Sequence, residues 1–212
     1  MPGSGLFIVF EGIDGSGQDT QANALKQHLE SLQYPVWLTG EPSQGPIGAK
    51  VRKILRGEIQ PKPEPAVIQA MMSRDRRWHV GEINQHLQRD EIVVCVRYLY
   101  STLAYGQADG VEYEQLWALN DRFIRPRIAI YLDLDPATAM DRVEKRGKPL
   151  ELFERREFLA KVRQNFNALC DSGKFPEFKR IQAVGSIEQV HASAWRLVEQ
   201  VVDKWDGVQK PE

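Results

Sequence analysis

The chain has two cysteines in 212 residues, Cys95 and Cys170, and they stand far apart. They match no metal or redox spacing. Cys95 lies in the apolar run Ile92-Val93-Val94-Cys95-Val96 and reads as a buried core thiol. The four histidines, His28, His79, His86 and His191, show no ligand spacing and read as surface or core residues. No stretch is long and apolar enough to span a bilayer, and Met1-Pro2-Gly3-Ser4-Gly5 carries no basic leader region. A cytoplasmic protein without a membrane partner is expected. Charge of one sign is lacking too: the formal net charge is −1, so no general attraction to nucleic acid or membrane follows. A basic stripe with interleaved aromatics is absent, which argues against a nucleic-acid partner. There is no internal repeat. What remains is 42% hydrophobic residues, enough for a core, and a length that suits one domain over residues 1–212.

The most informative stretch comes first. Leu6-Phe7-Ile8-Val9-Phe10 is a continuous apolar run, read as a buried parallel strand. Glu11 follows, and then the glycine-rich Gly12-Ile13-Asp14-Gly15-Ser16-Gly17-Gln18-Asp19-Thr20. Ala22, Leu25, Leu29 and Leu32 then recur at helical spacing. Strand, glycine loop and helix form the setting in which backbone N–H groups cradle a phosphate. The loop nearly fits G-x-x-x-x-G-K-[ST], but Gln18 holds the lysine position and Asp19 the hydroxyl position.

Strand-like and helix-like stretches then alternate, which predicts an α/β fold: a five-stranded parallel sheet with helices on both faces. Further strands are expected at 36–39, 92–96, 128–132 and 178–183. Helices are expected near 47–56, 64–88, 99–105, 113–123 and 137–146, in a long run to Asp171, and from Ser186 onward. The basic side of the second helix, with Lys50, Arg52, Lys53 and Arg56, reads as solvated. In the long helix, Arg74 and Arg77 are expected to face water and Arg76 to point elsewhere. Arg97-Tyr98 ends a strand at the edge where open α/β sheets bind ligands. Asp135-Pro136 reads as a helix cap, and Ser186 with Gln189 as a capping box. The basic segment around Gly147, at about 142–156, reads either as a small mobile lid closing over phosphates or as a salt-bridged connection with Asp141, Glu144, Glu151 and Glu154.

On these residues the chain resembles thymidylate kinase, a nucleoside-monophosphate kinase with a P-loop NTPase fold. Phe10-Glu11-Gly12-Ile13-Asp14-Gly15-Ser16-Gly17 with Thr20-Gln21 is similar to the family's FEG-x-DG-x-GK-[ST]-TQ loop. Glu41-Pro42 with Pro46-Ile47-Gly48, Asp75-Arg76 with His79, and Arg97-Tyr98 with Ser101-Thr102-Leu103-Ala104-Tyr105 are similar to its other motifs. The resemblance implies transfer of the γ-phosphoryl of ATP to dTMP with Mg²⁺, in a homodimer packed through the long helices. It implies that the backbone from Gly12 through Ile13, Asp14, Gly15, Ser16, Gly17, Gln18 and Asp19 to Thr20 holds the ATP phosphates. It places Arg97 on the acceptor phosphate, Arg76 on the thymine edge, and Met72 where the family stacks an aromatic ring. Asp14 and Tyr105 would lie beside the sugar, with Glu41 and Ser101 also facing the substrate. Arg142 and Arg146 would supply lid cations to the phosphates, alongside Gln18.

Three departures converge on one site: Gln18, Asp19, and Val96 where the family has an aspartate before Arg97. Loss of the loop lysine's charge is worth roughly 3–4 kcal/mol if it acts in the transition state, which makes a slower enzyme rather than a dead one. Asp19, with Thr20, is the expected metal-facing pair, taking the role that Val96 cannot fill. Two alternatives stay open: a nucleotide-binding relative without turnover, and a kinase of the same fold for another monophosphate.

Overall fold

The structure is a computed structural model that describes residues 5–145, 147, 149 and 151–205. Among them, five strands form one all-parallel sheet: β1 (Leu6–Gly12), β2 (Val36–Gly40), β3 (Ile92–Val96), β4 (Ile128–Asp133) and β5 (Phe178–Gln182), in the order β2-β3-β1-β4-β5. The helices are α1 (Gln18–Ser31), α2 (Pro46–Leu55), α3 (Pro65–Leu87), α4 (Leu99–Ala108), α5 (Tyr113–Ala118), α6 (Pro136–Lys145), α7 (Arg156–Asp171) and α8 (Ile187–Val202). This is the α/β fold with a five-stranded parallel sheet that the alternation of elements predicts.

β1 is central and buried along its whole length, which is why its apolar residues run without alternation. It pairs with β3, Val9 beside Cys95, and with β4, Gly12 beside Leu132. Cys95 is fully buried. The strand order reverses at β1, so the loops after β1 and β3 open at the sheet's carboxyl edge, where such sheets place ligands.

The local signals hold at both caps. Asp135 Oδ2 accepts from the Ala137 and Thr138 amides at 2.9 and 3.2 Å. Ser186 and Gln189 form a reciprocal capping box. On α3, Arg74 and Arg77 are exposed and Arg76 is fully buried. One helix is shorter than expected. α5 ends at Ala118 rather than near Phe123, because the Asn120 side chain takes the Leu116 carbonyl at 2.7 Å and the chain turns there.

Candidate active site

Two spaces meet at the carboxyl edge of the sheet. One is an open cleft of about 600 Å³ under the loop between β1 and α1, lined by 14–21, Arg97, Arg142, Ala183, Gly185, Ser186, Ile187 and Val190. The other is a cavity of about 210 Å³ between α2, α3, α4 and the segment before α7. Its walls include Pro42, Arg52, Leu55, Ile68, Gln69, Met72, Ser101, Thr102, Tyr105 and Phe153. Asp14 and Arg97 line both spaces.

Arg97 is held in the left-handed region at φ 65°, a strained place for a side chain of this size. Its amide donates to the Phe10 carbonyl at 2.8 Å, which fixes the turn out of β3. Its guanidinium donates to Asp14 Oδ1 at 2.8 Å, and to the Gly12 carbonyl and Ser101 Oγ at 3.3 Å. It also stacks 5.0 Å above the Tyr105 ring. Burial pulls its pKa down, but Tyr105, Asp14 and Glu11 outweigh that and raise it, so the cation is permanent. Tyr105 Oη donates to Asp14 Oδ2 at 2.8 Å and accepts from the Asp14 amide at 3.1 Å. Below this group lies Glu11, fully buried, accepting from the Tyr98 and Ser101 amides and, at 2.5 Å, from the Ser101 hydroxyl. Burial pushes the Glu11 carboxyl up to about 7, against the hydrogen bonds and Arg97, which pull it down.

The loop itself is built as an anion cradle. Gly17, at φ 94°, caps α1 without any side-chain hydrogen bond, so the first amides of the helix face the cleft. Ser16 Oγ is buried and has no hydrogen-bond partner among the described residues. A buried hydroxyl left over beside a helix N-terminus fits a phosphate oxygen. Gly15, at φ 82°, lies so close to α6 that a Cβ there would collide with the Ala139 carbonyl. Loop and helix α6 are therefore in backbone contact, and α6 brings Arg142 to the cleft. Its guanidinium sits 3.4 Å from the Gly15 and Ala183 carbonyl oxygens. Arg146 lies outside the described residues.

Gln18 lines the cleft but is mostly buried, and its Nε2 donates to the Gly12 carbonyl at 3.0 Å. Asp19 and Thr20 are exposed on the first turn of α1. No group of three or more His, Cys, Asp or Glu side chains among the described residues could hold a metal by itself. The donor set is one carboxylate and one hydroxyl beside a phosphate cradle. That suits Mg²⁺, which takes few protein oxygens and completes its shell with phosphate and water.

Of the other expected residues, Met72, Ser101 and Tyr105 line the cavity. Arg76 and Glu41 do not. The Arg76 guanidinium is fully buried behind the cavity wall, donating to Glu41 Oε2 from Nε and Nη2, to Thr102 Oγ1, and to Asn120 Oδ1. Glu41 is turned the same way, with His79 Nδ1 3.2 Å from its other oxygen. A guanidinium without access to water is stable only among such partners, and they take four of its five N–H donors.

The sequence also conceals three lining residues. Arg52, read as solvated, donates to the Pro42 and Ser43 carbonyls at 2.6 and 2.5 Å and reaches the cavity. Gln69 and Thr102 are buried in its wall. A signal for Gln69 exists: with Ser73 and Arg76 it marks polar residues at i, i+4 and i+7 on a buried helix face.

The sequence matches the family model described as thymidylate kinase over residues 10–194. A protein of Pyrococcus horikoshii named "probable thymidylate kinase" is 37% identical over 198 residues, covering 92% of this chain and 96% of that one. Proteins of the same name from Thermococcus kodakarensis and Methanocaldococcus jannaschii are 36% and 34% identical, over 92% and 88% of this chain and 97% and 92% of their own lengths. With a phosphate cradle and a cavity joined at Arg97 and Asp14, and with likeness along nearly all its length, the chain belongs to the thymidylate kinase family.

Proposed function

We propose that the chain transfers the γ-phosphoryl group of ATP to the 5′-phosphate of dTMP, giving dTDP and ADP. The observation that carries this reading is the shared wall. Arg97 and Asp14 face the phosphate cleft on one side and the cavity on the other, so a donor and an acceptor phosphate would meet at one guanidinium. Phosphoryl transfer needs alignment and charge neutralisation more than covalent help.

In this reading the amides of 12–20 and the free Ser16 hydroxyl hold the donor phosphates. Arg97 orients the acceptor phosphate, and Ser101 fixes Arg97 from below. Asp14 and Tyr105 border the sugar, and Met72 lies against the base. Glu41 and Arg76 act from behind the wall, by fixing its shape. Gln18 gives the phosphates a neutral donor in place of a cation, and Arg142 restores positive charge from the α6 side. The segment at 142–156, including Arg146, is the lid that keeps water from the transferring group. Asp19 and Thr20 would hold Mg²⁺, which when bound would neutralise charge on the transferring group. The same reading makes the protein a cytoplasmic homodimer, with the exposed Val67 and Trp78 of α3 covered by a second copy. No helix among the described residues is long and apolar enough to cross a membrane.

The test is a product assay with ATP, Mg²⁺ and a panel of monophosphates, for the natural chain and for Gln18→Lys. Formation of dTDP with preference for dTMP is expected, and a faster Gln18→Lys variant. ATP binding with no diphosphate formed from any acceptor would overturn the reading and leave a binding protein on a kinase scaffold.

A further inference from the structure

Helices α1 and α8 meet along a seam with two polar rungs. At the first, Gln21 Nε2 donates to the Ile187 carbonyl at 3.1 Å, and both residues line the phosphate cleft. At the second, further along both helices, His28 Nδ1 lies 3.0 Å from His191 Nε2. The His28 ring packs 4.1 Å from the Trp195 ring. His191 Nδ1 is buried and has no hydrogen-bond partner among the described residues. Two imidazoles joined in this way share one hydrogen in the gap. His28 stands in the last turn of α1, where the helix dipole favours a cation, and a charged His28 can still donate to His191. A proton on His191 finds no such place. At Nδ1 it is buried without an acceptor, and at Nε2 it faces the N–H of a charged His28. Burial, and then His28, hold the His191 pKa below the usual imidazole range. The charged groups around the pair are placed elsewhere. On the two helices Lys26 pairs with Glu30, Glu188 accepts from Ser186 Oγ, and Arg196 is exposed. Glu199, Asp203 and Tyr34 border the groove beside His28. On the strands beneath, Glu11 is held by Ser101, Asp133 by Arg163 and Arg180 by Asp171, and Lys179 is exposed.

We infer that the His28–His191 pair is a proton-sensitive latch between α1 and α8, which sets how tightly the cleft closes on a nucleotide. The inference rests on the kinase reading above for the identity of the ligand. α1 starts at the phosphate cradle, and α8 starts beside Ser186 on the facing wall of the cleft. While the pair shares a single hydrogen, the two walls stay at the spacing that Gln21 bridges. The folded chain resists a proton on His191 that the unfolded chain accepts, so this contribution to stability is present above pH 6.5 and is lost as the pH falls below it. The second proton drives the rings apart, and the rung at Ile187, one turn of α8 away, loosens with them. By linkage the effect is reciprocal: a nucleotide that needs the closed seam makes His191 a weaker base, and binding expels a proton.

The experiment measures equilibrium binding of ADP with Mg²⁺ at about pH 8 and pH 5.5, a span that covers the imidazole range, for the natural chain, His191→Gln and His28→Gln. Glu11 and the phosphates titrate in every chain alike, so the ratio of natural to variant isolates the pair. On acidification the natural chain should lose about tenfold more affinity than either variant, the size of one pKa unit between open and closed seam. At the higher pH all three should bind within about threefold of one another, because glutamine keeps a neutral hydrogen bond across the gap. A measurement on the natural chain alone needs no variant to fold. In an NMR titration of its imidazoles, ADP should move one histidine to lower pH by about half a unit or more. A purely structural seam predicts weaker binding by the variants at the higher pH, parallel pH profiles, and no imidazole moved by ADP. That result would overturn the latch and leave the kinase reading intact. Failure of the natural chain to bind ADP at either pH would overturn both.

Discussion

Replacing Glu11 by glutamine removes a charge from under Arg97 while keeping the shape and the hydrogen bonds. The Gln amide oxygen can accept from the Tyr98 and Ser101 amides, and its NH₂ can donate to Ser101 Oγ once that hydroxyl turns round. The native carboxyl titrates at about 7, against 4.5 for an unperturbed one. Between those values the folded chain keeps a proton that the unfolded chain has released, so stability falls as pH rises through the window. At about 1.36 kcal/mol per pKa unit, the carboxyl removes about 2.5 kcal/mol of stability between pH 5 and pH 8. The glutamine variant lacks that dependence. Urea unfolding of both proteins at the two pH values gives the double difference, in which every other titrating group cancels. The variant should gain about 2.5 kcal/mol on the natural chain from pH 5 to pH 8, or about 5–10 °C in melting temperature for a chain of this size. Parallel pH profiles would show that the carboxylate under Arg97 is already ionised at pH 5, and would refute the reasoning.

Arg76→Leu should destabilise by about 3–5 kcal/mol, because it strands the buried Glu41 with His79 alone; a selective rise in the KM for dTMP at unchanged stability would instead return Arg76 to the cavity surface. Gly15→Ala should cost about 1–3 kcal/mol through its left-handed backbone. It should also raise the KM for ATP, since α6 must back away from the loop; kinetics and melts on one preparation check both. Asp19→Ala should weaken the apparent Mg²⁺ affinity tenfold or more, a usual loss for a partner at a metal site. A titration of activity against Mg²⁺ that overlays the natural curve would remove Asp19 from that role.

The parts of the site legible in the sequence are those whose backbone does the work. The apolar run of β1, the glycines after it and the caps at Asp135 and Ser186 each depend on neighbours within a few residues, so the order of residues announces them. Arg76 shows where this ends. A guanidinium aimed at a ligand and one locked to a buried carboxylate both need an arginine on a buried helix face. Only the position of Glu41, 35 residues away, decides between them. Arg52 follows the same rule, because its partners are carbonyls of the preceding loop and carry no side-chain signature. The early end of α5 came from one competing side-chain hydrogen bond at Asn120, which helical periodicity does not register.

The wall that Arg97 and Asp14 share has a thermodynamic consequence. Arg97 divides its donors among Asp14, the Gly12 carbonyl and Ser101, and an anion arriving on either side must draw on the same set. Filling one space changes the free energy of filling the other, and by linkage the effect is mutual and equal in size. If the first phosphate frees Arg97 from Asp14, the second meets a cation already released, and the two nucleotides bind with positive cooperativity. If the first keeps the guanidinium for itself, each weakens the other. The sign of that coupling, read from the affinity for one nucleotide at increasing concentrations of an unreactive analogue of the other, reports how a single arginine is apportioned between two substrates.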